Sequence, residues 1–168
     1  MITSSVAVIL LGQQSLTGKP APEFIGTEWL NSEKPITMAS RKGKVTVVHF
    51  WTFGCINCKR NLPPVQRLYD KFKARGVEFI SIHTPELKEE RDVENVKKAV
   101  KDNNIKYPVL IDPQYENWKA WKVEYWPTFF IIDQAGNIRG NWAGELNYNG
   151  SQGEAKAAAY IEGLLNRG

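Results

Sequence analysis

Val45-Thr46-Val47-Val48-His49-Phe50-Trp51-Thr52-Phe53-Gly54-Cys55-Ile56-Asn57-Cys58 decides the fold. Its first half is a nearly continuous apolar, β-branched run, which reads as a central strand buried on both faces. Beyond it, Ile56, Leu62, Val65, Leu68 and Phe72 fall at helical spacing, so a helix is expected over residues 55–75. Pro63 and Pro64 should kink or restart that helix. Gly76 is a suitable stop.

Working outward, residues 77–83 read as the next strand and 89–101 as a charged helix with Val93, Val96 and Val100 on one face. A short strand over 107–111 and a short helix over 113–121 follow. Residues 128–133 read as a buried strand, 133–137 as a hairpin turn, 138–142 as its return strand and 154–165 as an Ala-rich closing helix. Upstream, residues 24–30 and 35–39 read as two short strands around an Asn31-Ser32-Glu33 turn, an N-terminal β-hairpin. Strands alternating with helices, then a late hairpin, imply an α/β domain with a mixed sheet and helices on both faces. No internal repeat is present.

The 168 residues suit one domain, assigned to 18–168. Hydrophobic residues at 42% and charged residues at 24% exclude disorder, collagen and coiled coil. The net charge of +4 is small and scattered, so no nucleic acid partner is expected. The apolar run 6–11 is too short to span a bilayer, which takes about 20 residues. Residues 1–17 are read as a signal or anchor remnant or linker, with a first strand as the competing reading.

Cys55 and Cys58 are the only cysteines, placed where a buried strand gives way to a helix. Unpaired N–H groups and the helix dipole favour an anion there. A Cys55 thiolate should gain from this, its pKa falling below about 8.5. Cys55 is then the attacking sulfur, and Cys58, deeper in the helix, resolves the mixed disulfide. The competing readings are two inert buried thiols or half a zinc site. Zinc would need more ligands, and neither His49 nor His83 lies at a finger-like spacing.

The segment from Phe50 to Lys59 resembles the active site of thioredoxin-like proteins. Pro63 matches the proline inside their first active-site helix, and Trp126-Pro127-Thr128 their cis-proline strand. Gly18-Lys19-Pro20-Ala21-Pro22-Glu23-Phe24 and the insertion between Glu89 and Ile111 resemble the TlpA/ResA branch. Trp-Thr-x-x-Cys-Ile-Asn-Cys, His83-Thr84-Pro85-Glu86 and Tyr125-Trp126-Pro127 resemble the thioredoxin-like domain of DipZ-type proteins, which are linked to CcdA-type membrane electron carriers.

The resemblance implies a thioredoxin fold with a TlpA-like insertion and a thiol–disulfide oxidoreductase acting outside the cytoplasm. It would work as a monomer on protein disulfides, without a bound cofactor or metal, and be re-reduced by a CcdA-like membrane donor. Cytochrome c maturation and oxidative repair are two settings for such chemistry. The resemblance also implies that Pro127 is cis and that Trp126 pairs with substrate backbone, with Thr128 and Trp51 beside it. A disulfide-forming oxidase is the alternative within the same chemistry, and a copper carrier the alternative from another class. The Cys-x-x-Cys spacing argues against the carrier. A peroxidase would place a proline where Val48 stands, four residues before Thr52.

Two departures stand out. Where thioredoxins carry a buried acid, six residues before the first cysteine, this chain has His49. Where the ResA branch has a glutamate, three residues after the second cysteine, it has Asn61. His49 is therefore either the base that deprotonates Cys58 or a core histidine without a role. His83 and Glu86 are expected at the carboxyl edge of the sheet, where ligands gather. His83 would contact substrate or tune the thiolate. A solvated loop is the plainer reading of both. Trp118, Trp121 and Trp126 form either an aromatic rim or core. Lys88-Glu89-Glu90-Arg91 reads as a solvated face.

Overall fold

A computed structural model describes residues 16–167. The apolar run 6–11 lies outside them. Among the described residues six strands form one sheet: β1 (Trp29–Leu30), β2 (Thr46–Trp51), β3 (Glu78–His83), β4 (Val109–Ile111), β5 (Thr128–Ile132) and β6 (Ile138–Ala143). Their order across the sheet is β1-β4-β3-β2-β5-β6. β2, β3 and β4 run parallel; β5, β6 and β1 are antiparallel to their neighbours, so the sheet is mixed. β2 is central and buried along its whole length, as its unbroken apolar run requires.

Alternation along the strands sorts two cores. Val47 and Trp51 of β2, Phe79 of β3 and Phe129 of β5 face the long helix α1 (Ile56–Phe72), together with α2 (Val93–Asp102) and α4 (Gly153–Leu165). Val48 and Phe50, Ile80 and Ile82, and Phe130 face the opposite way. They pack on Phe24, Met38 and Trp121, which ends α3 (Glu116–Ala120).

α1 runs unbroken through Pro63 and Pro64, so the expected restart does not occur. The missing amide bonds fall where the freed carbonyls belong to exposed Lys59 and Arg60, which water can serve. A 3-10 turn follows, and Gly76 at φ +79° ends it.

The expected N-terminal hairpin does not form. Only Trp29–Leu30 is strand, and it pairs with β4 instead. Residues 35–38 are irregular and lead into a 3-10 turn at Ala39–Arg41. The reason is visible in the pairing: Asn31, at positive φ, turns the chain away and sends its side-chain amide to the carbonyls of Ile105 and Tyr107. The helix expected over 89–101 also splits. Lys88–Arg91 is a 3-10 turn, and α2 begins after Asp92, whose carboxylate caps the Glu94 N–H. Among the described residues no helix is long and apolar enough to cross a membrane.

Candidate active site

The two thiols sit at the carboxyl end of β2. Cys55 is the N-cap of α1, with extended φ/ψ, and its carbonyl accepts the first helical bond from Lys59 at 3.1 Å. It is partly exposed, whereas Cys58, three residues on, is fully buried. Burial pushes the Cys58 thiol up; the Thr52 amide, which hydrogen-bonds it, pulls the other way, and Cys55 and Glu86 add to the rise. Cys55 is therefore the reachable thiol of the pair, and burial disfavours the ionised form of Cys58.

The Trp126–Pro127 peptide bond, just ahead of Thr128, which pairs with Phe50 near the carboxyl end of β2, is cis. Pro127 is buried and its carbonyl accepts from Gly144. Trp126 is half-buried. Its indole N–H donates to the Thr84 carbonyl at 3.0 Å, tying this loop to the end of β3. The Thr128 hydroxyl is spent inside the same loop, donating to the Tyr125 carbonyl at 2.8 Å. Trp51 is not a surface contact: it is wholly buried in the α1-facing core. The three-tryptophan rim reduces to a pair. Trp118 and Trp126 have ring centroids 4.0 Å apart, while Trp121 is buried against Phe24, Phe50 and Phe130 on the other face.

Both histidines are buried. The Asn61 Oδ1 accepts the Leu146 N–H at 2.9 Å, which points the Asn61 amide nitrogen at His49 Nε2, 3.4 Å away. His49 Nε2 must therefore accept, and its proton sits on Nδ1, where it finds no partner. Desolvation lowers the His49 pKa to about 3. Its single basic lone pair already faces Asn61, so the arrangement supports the core-histidine reading over the base.

His83 is no loop residue: it ends β3 opposite Trp51 and is fully buried. Its ring stacks on Phe53, and its Nε2 lies 3.4 Å from the Thr52 hydroxyl. Burial lowers its pKa to about 4, against the pull of Glu90. Glu86 is exposed, and its backbone N–H is bound rather than free.

The residue that binds it is Glu90, which the charge pattern places on a solvated face. Glu90 is only 1% exposed. One carboxylate oxygen accepts from Gly54 N–H at 2.5 Å; the other accepts from Glu86 N–H at 2.6 Å and Leu87 N–H at 2.7 Å. The Thr52 hydroxyl reaches it too. Burial alone would raise its pKa, but these hydrogen bonds outweigh burial and hold it below the ordinary carboxylate value. The one sequence signal was Pro85 just upstream, which breaks the helical pattern and leaves 87–90 free to turn inward. Among the described residues no group of three or more His, Cys, Asp or Glu side chains is gathered as a metal would need.

This geometry has known relatives. Residues 17–141 match the model of the AhpC/TSA family. The chain belongs to that family. Over 132 residues, 77% of this chain, it is 39% identical to Protein DipZ of Mycobacterium tuberculosis. The match spans 19% of DipZ, so the chain corresponds to about a fifth of that relative's length. It is 30% identical to the thiol-disulfide oxidoreductase YkuV of Bacillus subtilis, covering 75% of this chain and 84% of that one. A thioredoxin-like protein solved in its oxidised form superposes with TM-score 0.76 at 26% identity, over 92% of this chain and 99% of its own. The fold is thus the thioredoxin-like one that the motifs imply.

Proposed function

We propose that this chain is a thiol–disulfide oxidoreductase that reduces protein disulfides outside the cytoplasm. The carrying observation is the division of labour at α1: Cys55 is accessible at the helix N-cap, and Cys58 is buried one turn on. The Cys55 thiolate attacks one sulfur of a substrate disulfide. That bond breaks, a mixed disulfide forms, and the departing substrate sulfur takes a proton. Cys58 then loses its proton and attacks Cys55. The Cys55–Cys58 bond forms, and the second substrate thiol is released. Two electrons and two protons pass to the substrate in all. A CcdA-like membrane donor returns the electrons.

The surroundings suit a polypeptide. Ile56, Leu87 and Tyr125 are large apolar side chains left 57%, 52% and 64% exposed. Ile56 directly follows Cys55 in α1, Leu87 lies against Gly54, and Tyr125 directly precedes the Trp126–Pro127 pair. Similarity to the thiol-disulfide oxidoreductase YkuV supports the reaction class, and the resemblance of the motifs to DipZ-type proteins suggests the membrane donor.

Equilibration of the cysteine pair with glutathione and dithiothreitol tests the direction. A reduction potential near −270 mV, as in thioredoxin, is expected for a reductase. A value near −120 mV would make the protein a disulfide-forming oxidase instead.

A further inference from the structure

Glu90 has no part in the exchange just described, yet it is a buried acid whose two carboxylate oxygens are both bound by backbone amides next to Cys55 and after β3. Its partners fall on two segments far apart in sequence. Gly54 N–H immediately precedes Cys55; Glu86 and Leu87 N–H belong to the turn after β3. That turn is itself anchored. The Thr84 carbonyl accepts from Trp126, the Thr84 hydroxyl donates to Asp112 at 3.0 Å, and the Pro85 carbonyl accepts from the Tyr115 hydroxyl. Glu90 therefore ties the backbone before Cys55 to a fixed point.

The fit at Gly54 is close. A Cβ added there would lie 2.6 Å from the Glu90 Oε1 and 3.1 Å from Leu87 Cδ1. The carboxylate cannot swing aside without releasing the Glu86 and Leu87 amides. Glycine at 54 is what lets the carboxylate reach the amide next to Cys55.

We propose that Glu90 is a positioning residue for the redox pair: its carboxylate fixes the Gly54–Cys55 backbone, so that the Cys55 and Cys58 thiols are held in reach of each other before they join. Preorganisation of two reacting groups raises their effective concentration. In the reaction with glutathione disulfide, the two thiols give up two electrons and two protons, one Cys55–Cys58 bond forms, and two glutathione thiols are released. A looser Cys55 backbone makes that intramolecular bond less favourable. This inference rests on the redox reading above.

The test is the equilibrium constant of the Cys55–Cys58 disulfide against glutathione in the full chain, with Tm measured alongside. Glu90→Gln keeps the size but offers one acceptor oxygen in place of two. It is expected to lower the constant about tenfold, which is ~30 mV for a two-electron couple. Glu90→Asp, charged but shorter, should fall between Gln and wild type. Gly54→Ala attacks the same contact from the other side, and should lower the constant in the same direction. The double variant should lower it no further than the larger single change, as expected for two ends of one interaction. A folded Glu90→Gln protein with a lower Tm but a constant within twofold of wild type would overturn the proposal. Should Glu90→Gln fail to fold, Gly54→Ala decides alone by the same criterion. A wild-type chain that forms no intramolecular disulfide would instead sink the redox reading itself.

Discussion

The two faces of the sheet are built differently. On the face that carries α3, Phe24, Phe50, Trp121 and Phe130 pack as an aromatic cluster with ring centroids 5.2–6.0 Å apart. Such a cluster contributes through apolar area and ring contacts. On the face that carries α1, the apolar core is interrupted by His49, His83 and Asn61, and Cys58 lies among them. Each buried polar group costs desolvation that only a partner offsets. Nδ1 of both histidines has none. The contrast teaches where buried polarity sits: the α3 face leaves the Trp121 indole N–H unpartnered inside an aromatic cluster, while the larger α1 core seats two histidines, an asparagine and the Cys58 thiol.

The comparison breaks most sharply at the thiols. Cys55→Ser should abolish dithiothreitol-driven reduction of a protein disulfide while leaving the fold intact. Cys58→Ser should stop after one step, as a mixed disulfide visible by mass spectrometry. Turnover by Cys55→Ser protein would remove the chemistry from this face.

Trp121→Ala should act on the other face. Emptying a fully buried indole site costs about 3–5 kcal/mol in urea unfolding. The potential of the cysteine pair should not move with it, and a shift would show the two faces to be coupled.

Acidification should strain only the α1 face. Both histidines have folded pKa values, about 3 and about 4, below the ordinary 6.5. The unfolded chain therefore binds more protons in this window. Their contribution is fully present above about pH 6.5 and is lost as pH falls toward 4 and 3. Between pH 6.5 and 5 the loss should be about 2 kcal/mol per histidine. Urea midpoints at the two pH values check it, and a flat profile would show that the rings are solvated.

His49→Leu gives the smallest effect. Removing a ring with an unpartnered N–H is a gain, orphaning the Asn61 amide that faces it is a cost, and the two opposing changes should leave stability within ~1.5 kcal/mol and flatten part of the acid slope. The rate of mixed-disulfide resolution should be unchanged. A tenfold slower resolution would restore His49 as the base for Cys58.

Much of this was legible in local sequence. β2 announced itself as a double-sided apolar run, and the cysteine pair as the start of a helix. Both follow from periodicity, which is local. The face assignments of His49 and His83 were within reach for the same reason, but their partners were not. Asn61 and Leu146 are 85 residues apart. The failed N-terminal hairpin has a similar cause: two short segments with strand character pair only if no better edge exists, and β4 offered β1 one.

Glu90 marks the limit most clearly. In a run of charged residues, a glutamate reads as solvated, because ionised side chains rarely bury unless paired. What reversed that here was a set of backbone N–H groups from Gly54, Glu86 and Leu87, converging on one point. The sequence by itself determined most of the regular elements, which strand is central, and which two thiols are the candidate redox pair, because periodicity and residue chemistry are properties of neighbours. Tertiary structure alone decided which polar groups are paired, what the two histidines face, and which backbone amides meet the Glu90 carboxylate. Those depend on distances between segments far apart in the chain, and a buried charge is tolerated only where such distances close to hydrogen-bond length.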